Sequence, residues 1–135
     1  MMRVKTYVAP SPIAGLGLFA GEDIKKGTET WRYLPLVDSK LDPSDFEKLD
    51  PLSQEFIKKY CGLSKTTGKY IIYGDDTRFC NHSKNANVAI STVKFDDEYN
   101  SIAIRDIKKG EELTIDYQTI DQNDANNKNP QLYSK

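Results

Sequence analysis

Histidine occurs once in this chain, at His82, and cysteine twice, at Cys61 and Cys80. A structural zinc site ordinarily takes four cysteine or histidine ligands, so no metal is expected. Two cysteines without an export signal read as free thiols rather than as a disulfide. Long apolar runs are also missing. No stretch approaches the roughly 20 residues that span a bilayer, and Met1-Met2-Arg3-Val4-Lys5-Thr6-Tyr7 lacks the apolar region of a signal peptide. No membrane partner is expected, and the location expected by default is cytoplasmic, or nuclear if the source is eukaryotic. Charge of one sign is lacking as well: 19 Lys and Arg against 20 Asp and Glu leave a formal net charge of -1. Such a chain has no global basic face, and no direct nucleic-acid partner is expected.

What is present fits one globular domain. At 135 residues, with 38% hydrophobic and 29% charged side chains, the chain can bury a single modest core. Short strands are expected over 3–9, from Leu18-Phe19-Ala20, and over Glu29 to Tyr33, which carries the only tryptophan, Trp31. The stretch 38–65 changes character. Asp42-Pro43-Ser44-Asp45 starts one helix, and Pro51 to Tyr60 forms a second, with Leu52, Phe56 and Tyr60 at helical spacing and Gly62 at its C-cap. Further strands are expected at Tyr70–Tyr73, Ala86–Phe95, Ser101–Arg105 and Glu112–Tyr117. Asp23-Ile24-Lys25-Lys26-Gly27 is echoed by Asp106-Ile107-Lys108-Lys109-Gly110, which reads as one turn solution used twice. From Gln118 the chain turns polar and rich in asparagine, as a tail does.

Three polar or glycine-rich segments do not suit an ordinary core. Gly15-Leu16-Gly17-Leu18 leaves main-chain groups open to a close ligand, although alone it is what a turn between strands looks like. Arg78-Phe79-Cys80-Asn81-His82-Ser83 sets three polar side chains in a row; a lone His82 is equally a hydrogen-bonded turn residue. Ser83 adjoins His82 and no Gly-x-Ser-x-Gly elbow exists, so a serine hydrolase is a poor fit. Gly110-Glu111-Glu112-Leu113-Thr114-Ile115-Asp116-Tyr117 ends in a tyrosine that is either a core-edge residue or a usable hydroxyl, and Glu111 and Glu112 in isolation read as solvated charges.

Taken together, in this order and spacing, the three segments resemble the signature motifs of SET-domain protein lysine methyltransferases, and the likeness spans residues 12 to 117. The resemblance implies a mostly β fold, the SET-type β-clip of small curved sheets with a short helical insertion at about 38–65 and a threaded C-terminal segment. The SET domain would be residues 1–117, and 118–135 a polar tail that closes the active site. It implies S-adenosylmethionine as cofactor, with S-adenosylhomocysteine as product, and a protein carrying a target lysine as partner. Matched motif by motif, Gly15, Leu16, Gly17 and Leu18 would hold the methionine end of the cofactor. Asn81 and His82 would hold its amino-acid and adenine portions, and Arg78 and Ser83 would brace them. Tyr117 would be the catalytic tyrosine and Tyr33, in Trp31-Arg32-Tyr33, would line the lysine channel.

The chain departs from the family where many members read Asn-His-Ser-Cys-x-Pro-Asn: here Lys84-Asn85-Ala86 replaces the middle while Asn87 remains. It has no cysteine-rich zinc segment before or after the domain, which leaves Leu132 or Tyr133 of the tail to fold over the cofactor. Ile115 stands where many members carry Phe or Tyr, which implies room for more than one methyl group. Two other readings stay open: a non-catalytic SET-like module that binds a peptide or protein, and a methyltransferase acting on another acceptor. Homodimerisation also stays open, since a small fold without zinc gains stability by association.

Overall fold

The computed structural model describes residues 1–120. Ten short strands and two helices alternate along them: β1 (Thr6–Pro10), β2 (Leu16–Ala20), β3 (Glu29–Trp31), β4 (Ser39–Leu41), α1 (Pro43–Phe46), α2 (Pro51–Tyr60), β5 (Gly62–Leu63), β6 (Tyr70–Ile72), β7 (Asn81–His82), β8 (Val88–Phe95), β9 (Glu98–Ala103) and β10 (Thr114–Ile115). They form three small sheets. β1 and β2 make an antiparallel pair, β4-β6-β5 a three-stranded sheet, and β3-β9-β8-β10-β7 a five-stranded one. This is the mostly β architecture that the motifs imply. No helix among the described residues is long and apolar enough to cross a membrane.

Local chemistry accounts for the regular parts. The β8–β9 hairpin turns through Asp96 and Asp97, both at positive φ (52° and 67°). That is the left-handed pair a two-residue turn needs to match strand twist, and aspartate tolerates it better than most side chains do. Helix α2 begins at Asp50, whose side chain accepts from Ser53 N at 2.9 Å, with Pro51 in the first turn. The same Asp50-Pro51 step separates the two helices: Asp50, the residue before proline, is steered away from helical backbone and is extended at φ -65°, ψ 162°.

Two expectations for α2 need correction. Gly62 is not a left-handed cap; the C-cap is Cys61 in extended backbone, and Gly62 already belongs to β5. The Leu52–Phe56–Tyr60 stripe is not the buried face either. Ile57 is the buried residue, packed with Phe46, Cys61 and Tyr70, while Leu52 and Phe56 face solvent. The three-stranded sheet presents Tyr70, which stacks on Phe46 at 4.7 Å between centroids, and Ile57 is the α2 residue buried with this pair, with Tyr60 packed at its edge.

The echoed pentapeptides turn out to face each other. Ile24 and Ile107 exchange both backbone hydrogen bonds at 2.7 Å. Asp106 accepts from Lys26 N at 2.8 Å and Asp23 from Lys109 N at 2.9 Å. Gly27 and Gly110 close the two turns at φ 88° and 92°. Each turn therefore caps the other, and the pair clasps the main core, where Leu18, Ala20, Ile24, Val88, Ala103, Ile107, Leu113 and Ile115 are buried together. Each of the larger aliphatics contributes about 1.5–3 kcal/mol of burial.

Candidate active site

The site follows from one piece of topology. Strand β10 lies between β7 and β8 and runs parallel to both, with Thr114 opposite Asn81, Ile115 opposite His82, and Ile115 also opposite Val88. The segment after Gly110 thus passes through the loop joining β7 to β8. Two-residue strands cannot fix a register alone, and Asn87 does it for them. Its Nδ2 donates to Glu112 O at 2.8 Å, and its Oδ1 accepts from Thr114 N at 2.9 Å. Asn87 is buried, so both groups need those partners.

Asn81, only 2% exposed, is fixed just as firmly. Its Nδ2 lies 2.9 Å from Glu112 Oε2, 3.1 Å from Ala14 O and 3.2 Å from Leu16 O. All three are pure acceptors, which settles the amide orientation. Asn81 Oδ1 accepts no hydrogen bond among the described residues. Ser11 Oγ donates to the same Glu112 carboxylate at 2.8 Å. Glu112 is therefore a clamp joining the glycine segment to β7, not the solvated charge that the sequence suggests for it. A Cβ at Gly17 would stand 2.4 Å from Glu112 Oε2, so any side chain there would force the carboxylate to move.

His82 Nδ1 accepts from Tyr117 N at 3.0 Å, so that nitrogen carries no proton. Burial pushes the imidazole pKa below its usual value, aided by Lys84 and opposed by Asp116, whose Oδ1 is 3.7 Å away. The His82 and Tyr117 rings sit 5.3 Å apart. The Tyr117 hydroxyl donates to Cys80 O. Tyr117 also lines a cavity of about 140 Å³ whose other walls include Trp31, Tyr60, Tyr73, Cys61, Ile115 and Glu98. Trp31 and Tyr73 meet edge to face at 5.9 Å. Both cysteines are free thiols, and burial pushes the Cys61 pKa up to about 11, which keeps it protonated near neutrality.

Of the residues anticipated from sequence, Asn81, His82 and Tyr117 come together through β7 and β10, and Gly15 to Leu18 adjoin them through Asn81 and Glu112. Arg78 stands on the cavity wall, its guanidinium 5.0 Å from the Phe79 ring centre and 5.6 Å from that of Tyr60. Tyr33 does not line the cavity. It is buried elsewhere, with its hydroxyl on Asp38 O at 3.3 Å and Lys40 Nζ 4.6 Å from its ring centre. Burial, with Asp96, Asp38 and Glu98 nearby, raises its pKa. Trp31 and Tyr73 supply the aromatic wall instead. Tyr133 and Leu132 lie outside the described residues. Sequence reasoning missed Glu112, Ser11, Tyr73 and Glu98 as site residues; Glu112 carried a signal in its place in the Gly110–Tyr117 motif, and Ser11 in its place at the head of the glycine segment.

Residues 15–118 match the SET domain, and the chain belongs to that family. It is 34% identical over 114 residues to histone-lysine N-methyltransferase 2D of Homo sapiens, covering 83% of this chain and 2% of that protein. It is 32% identical over 142 residues to histone-lysine N-methyltransferase trr of Drosophila melanogaster, covering 95% of this chain and 5% of that one. The chain thus spans only a few per cent of the length of these curated relatives. Among solved structures it resembles, at TM-score 0.63 and 25% identity, a humanized mutant of the Chaetomium thermophilum Polycomb Repressive Complex 2 bound to an inhibitor, covering 87% of this chain and 15% of that one.

Proposed function

We propose that this chain is a protein lysine methyltransferase that uses S-adenosylmethionine. The observation that carries the reading is the passage of β10 between β7 and β8, which brings Tyr117 to the wall of an aromatic cavity with its ring beside that of His82. The relatives named as histone-lysine methyltransferases support a lysine acceptor in a protein.

The residues present fit the cofactor. Asn81 Oδ1 offers an acceptor for an ammonium group, since its amide nitrogen is already committed. Gly15 and Leu16 are exposed beside it, Leu16 at 45%, leaving main chain and an apolar side chain for a ligand to cover. Gly15, Leu16, Gly17, Leu18, Asn81 and His82 would hold the cofactor, which supplies a methyl group on a sulfonium.

The chain's own groups then prepare the acceptor. A free lysine amine has a pKa of about 10.4 and must be neutral to react. The wall of Trp31, Tyr60, Tyr73 and Ile115 excludes water and disfavours the ammonium. The Tyr117 hydroxyl donates to Cys80 O, and a phenolic oxygen can in addition accept an N–H from the amine. That contact aims the nitrogen lone pair, and alignment of this kind supplies much of the rate in a two-reactant site. No side-chain base is required.

The test is calorimetric titration with S-adenosylmethionine together with labelled-methyl transfer to a pool of lysine-centred peptides. Asn81→Ala should weaken binding. Tyr117→Phe should leave binding within a few-fold yet slow transfer by about a hundredfold, the scale of a lost alignment. Folded protein that binds no cofactor would refute the proposal and favour a non-catalytic peptide-binding module.

A further inference from the structure

The charge of the cavity contrasts with that of the chain. The whole protein carries a formal net charge of -1, yet the cavity lining among the described residues holds Lys58, Lys59, Lys65 and Arg78 against one carboxylate, Glu98. Lys58, Lys59 and Lys65 are exposed, and none of the three forms an ion pair with a carboxylate among the described residues. Glu98 is the reverse case: 5% exposed, its two oxygens take hydrogen bonds from Ser64 Oγ at 2.9 Å and Thr67 Oγ1 at 2.5 Å. Cations outside and a single sheltered anion inside make an uneven field across the opening.

Helix chemistry explains part of this. Lys58 and Lys59 end α2, where cations complement the helix dipole. Lys65 and Arg78 are on other elements, and no dipole places them at the same cavity. Lys65 reaches the wall from the loop after β5, where its Nζ donates to Gln118 O next to Tyr117. Three elements thus deliver positive charge to one mouth.

We infer that the acceptor lysine is presented within an acidic segment, whose Asp or Glu side chains dock on Lys58, Lys59 and Lys65 while the lysine enters the cavity toward Tyr117. The inference rests on the methyltransferase reading and adds its substrate class. A segment rich in further lysines and arginines would bring like charges against this rim. Acidic neighbours are attracted to it and steer the encounter.

The experiment is labelled-methyl transfer from S-adenosylmethionine to a peptide pool with a central lysine and randomised flanks, followed by sequencing of the methylated fraction. Asp and Glu should be enriched beside the lysine. An acidic-flank peptide should exceed its Asn/Gln counterpart by about tenfold in kcat/KM, the scale of two or three exposed ion pairs, and the advantage should shrink at 0.5 M salt on the order of screening lengths of a few ångströms. Lys58→Glu/Lys59→Glu, with thermal unfolding to verify its fold, should abolish or invert the preference. Equal use of acidic and neutral flanks, enrichment of Lys and Arg, or an unchanged preference in the folded double variant would overturn the inference and leave the methyltransferase reading intact. No transfer to any peptide, together with no cofactor binding, would overturn both.

Discussion

Gly17→Ala tests the clamp that joins the glycine segment to Asn81. Gly17 does not adopt positive φ, so alanine backbone is allowed there and the effect must come from space. The new methyl would stand 2.4 Å from Glu112 Oε2, 2.9 Å from Glu112 Cδ and 3.0 Å from Ser11 Cβ. The carboxylate has to retreat by about 1 Å to restore ordinary contact, which stretches its hydrogen bonds from Asn81 Nδ2 and Ser11 Oγ beyond useful length. Hydrogen bonds to a charged group contribute about 1.5–3 kcal/mol each. Allowing partial recovery, and about 0.5–1 kcal/mol returned by exchanging glycine for alanine in a strand, the net loss is about 2–4 kcal/mol. For a domain of this size that lowers Tm by roughly 8–16 °C. Urea unfolding of Gly17→Ala, Glu112→Ala and the double variant measures the cause directly. Once the carboxylate is gone the methyl has room, so Gly17→Ala in the Glu112→Ala background should cost less than about 1 kcal/mol, a coupling of about 1–3 kcal/mol. Additive single effects within about 0.5 kcal/mol, or a Gly17→Ala Tm within about 2 °C of the parent, would refute the steric argument.

His82 is the only imidazole in the chain, so its titration can be read without interference from another. Its folded pKa lies below the unfolded value of about 6.5. The unfolded state therefore binds the proton first as pH falls, and stability present above about pH 6.5 declines from there down to the folded pKa, then levels off. Urea midpoints from pH 7.5 to 5.0 should show that decline, and His82→Asn should flatten it; an unchanged profile in the variant would assign the decline to carboxylates. Asn87→Ala removes both groups that hold β10 in register and leaves Thr114 N and Glu112 O without their side-chain partner. Stranding buried groups costs about 1–3 kcal/mol apiece, so a loss of about 2–5 kcal/mol is expected in denaturant unfolding, with hydrogen exchange at Thr114 and Ile115 accelerated.

The elements that local chemistry dictates were the legible ones. Pro51 and the spacing to Tyr60 mark α2 to the residue, and β2, β6 and β8 fall within two or three residues of where alternation and turn signals put them. The misjudged face of α2 has a plain cause. Leu52, Phe56 and Tyr60 satisfy helical periodicity as well as any buried stripe does, but which stripe is buried depends on what lies opposite. Opposite α2 is a three-stranded sheet whose Tyr70 is already stacked on Phe46.

The site was legible as motifs and illegible as geometry, for a related reason. Strands β7 and β10 have two residues each, too few for any period to register, and their pairing depends on the buried side chain of Asn87. Glu112 meets Ser11 across 101 residues of sequence, so nothing near either one announces the contact. Motif position could say that Asn81 and Tyr117 belong to one site, but it could not separate Tyr33 from Tyr73, since both are tyrosines close to the ends of strands. What separates them is Asp38, whose backbone carbonyl takes the Tyr33 hydroxyl and whose side chain binds Gly74 N at 3.1 Å and Leu34 N at 3.0 Å. One buried aspartate thus draws the chain around Tyr33 away from the cavity and fixes Gly74 directly after Tyr73. The aromatic wall beside Tyr117 is consequently built from β3 and the residue after β6, with Tyr73 rather than Tyr33 lining the cavity.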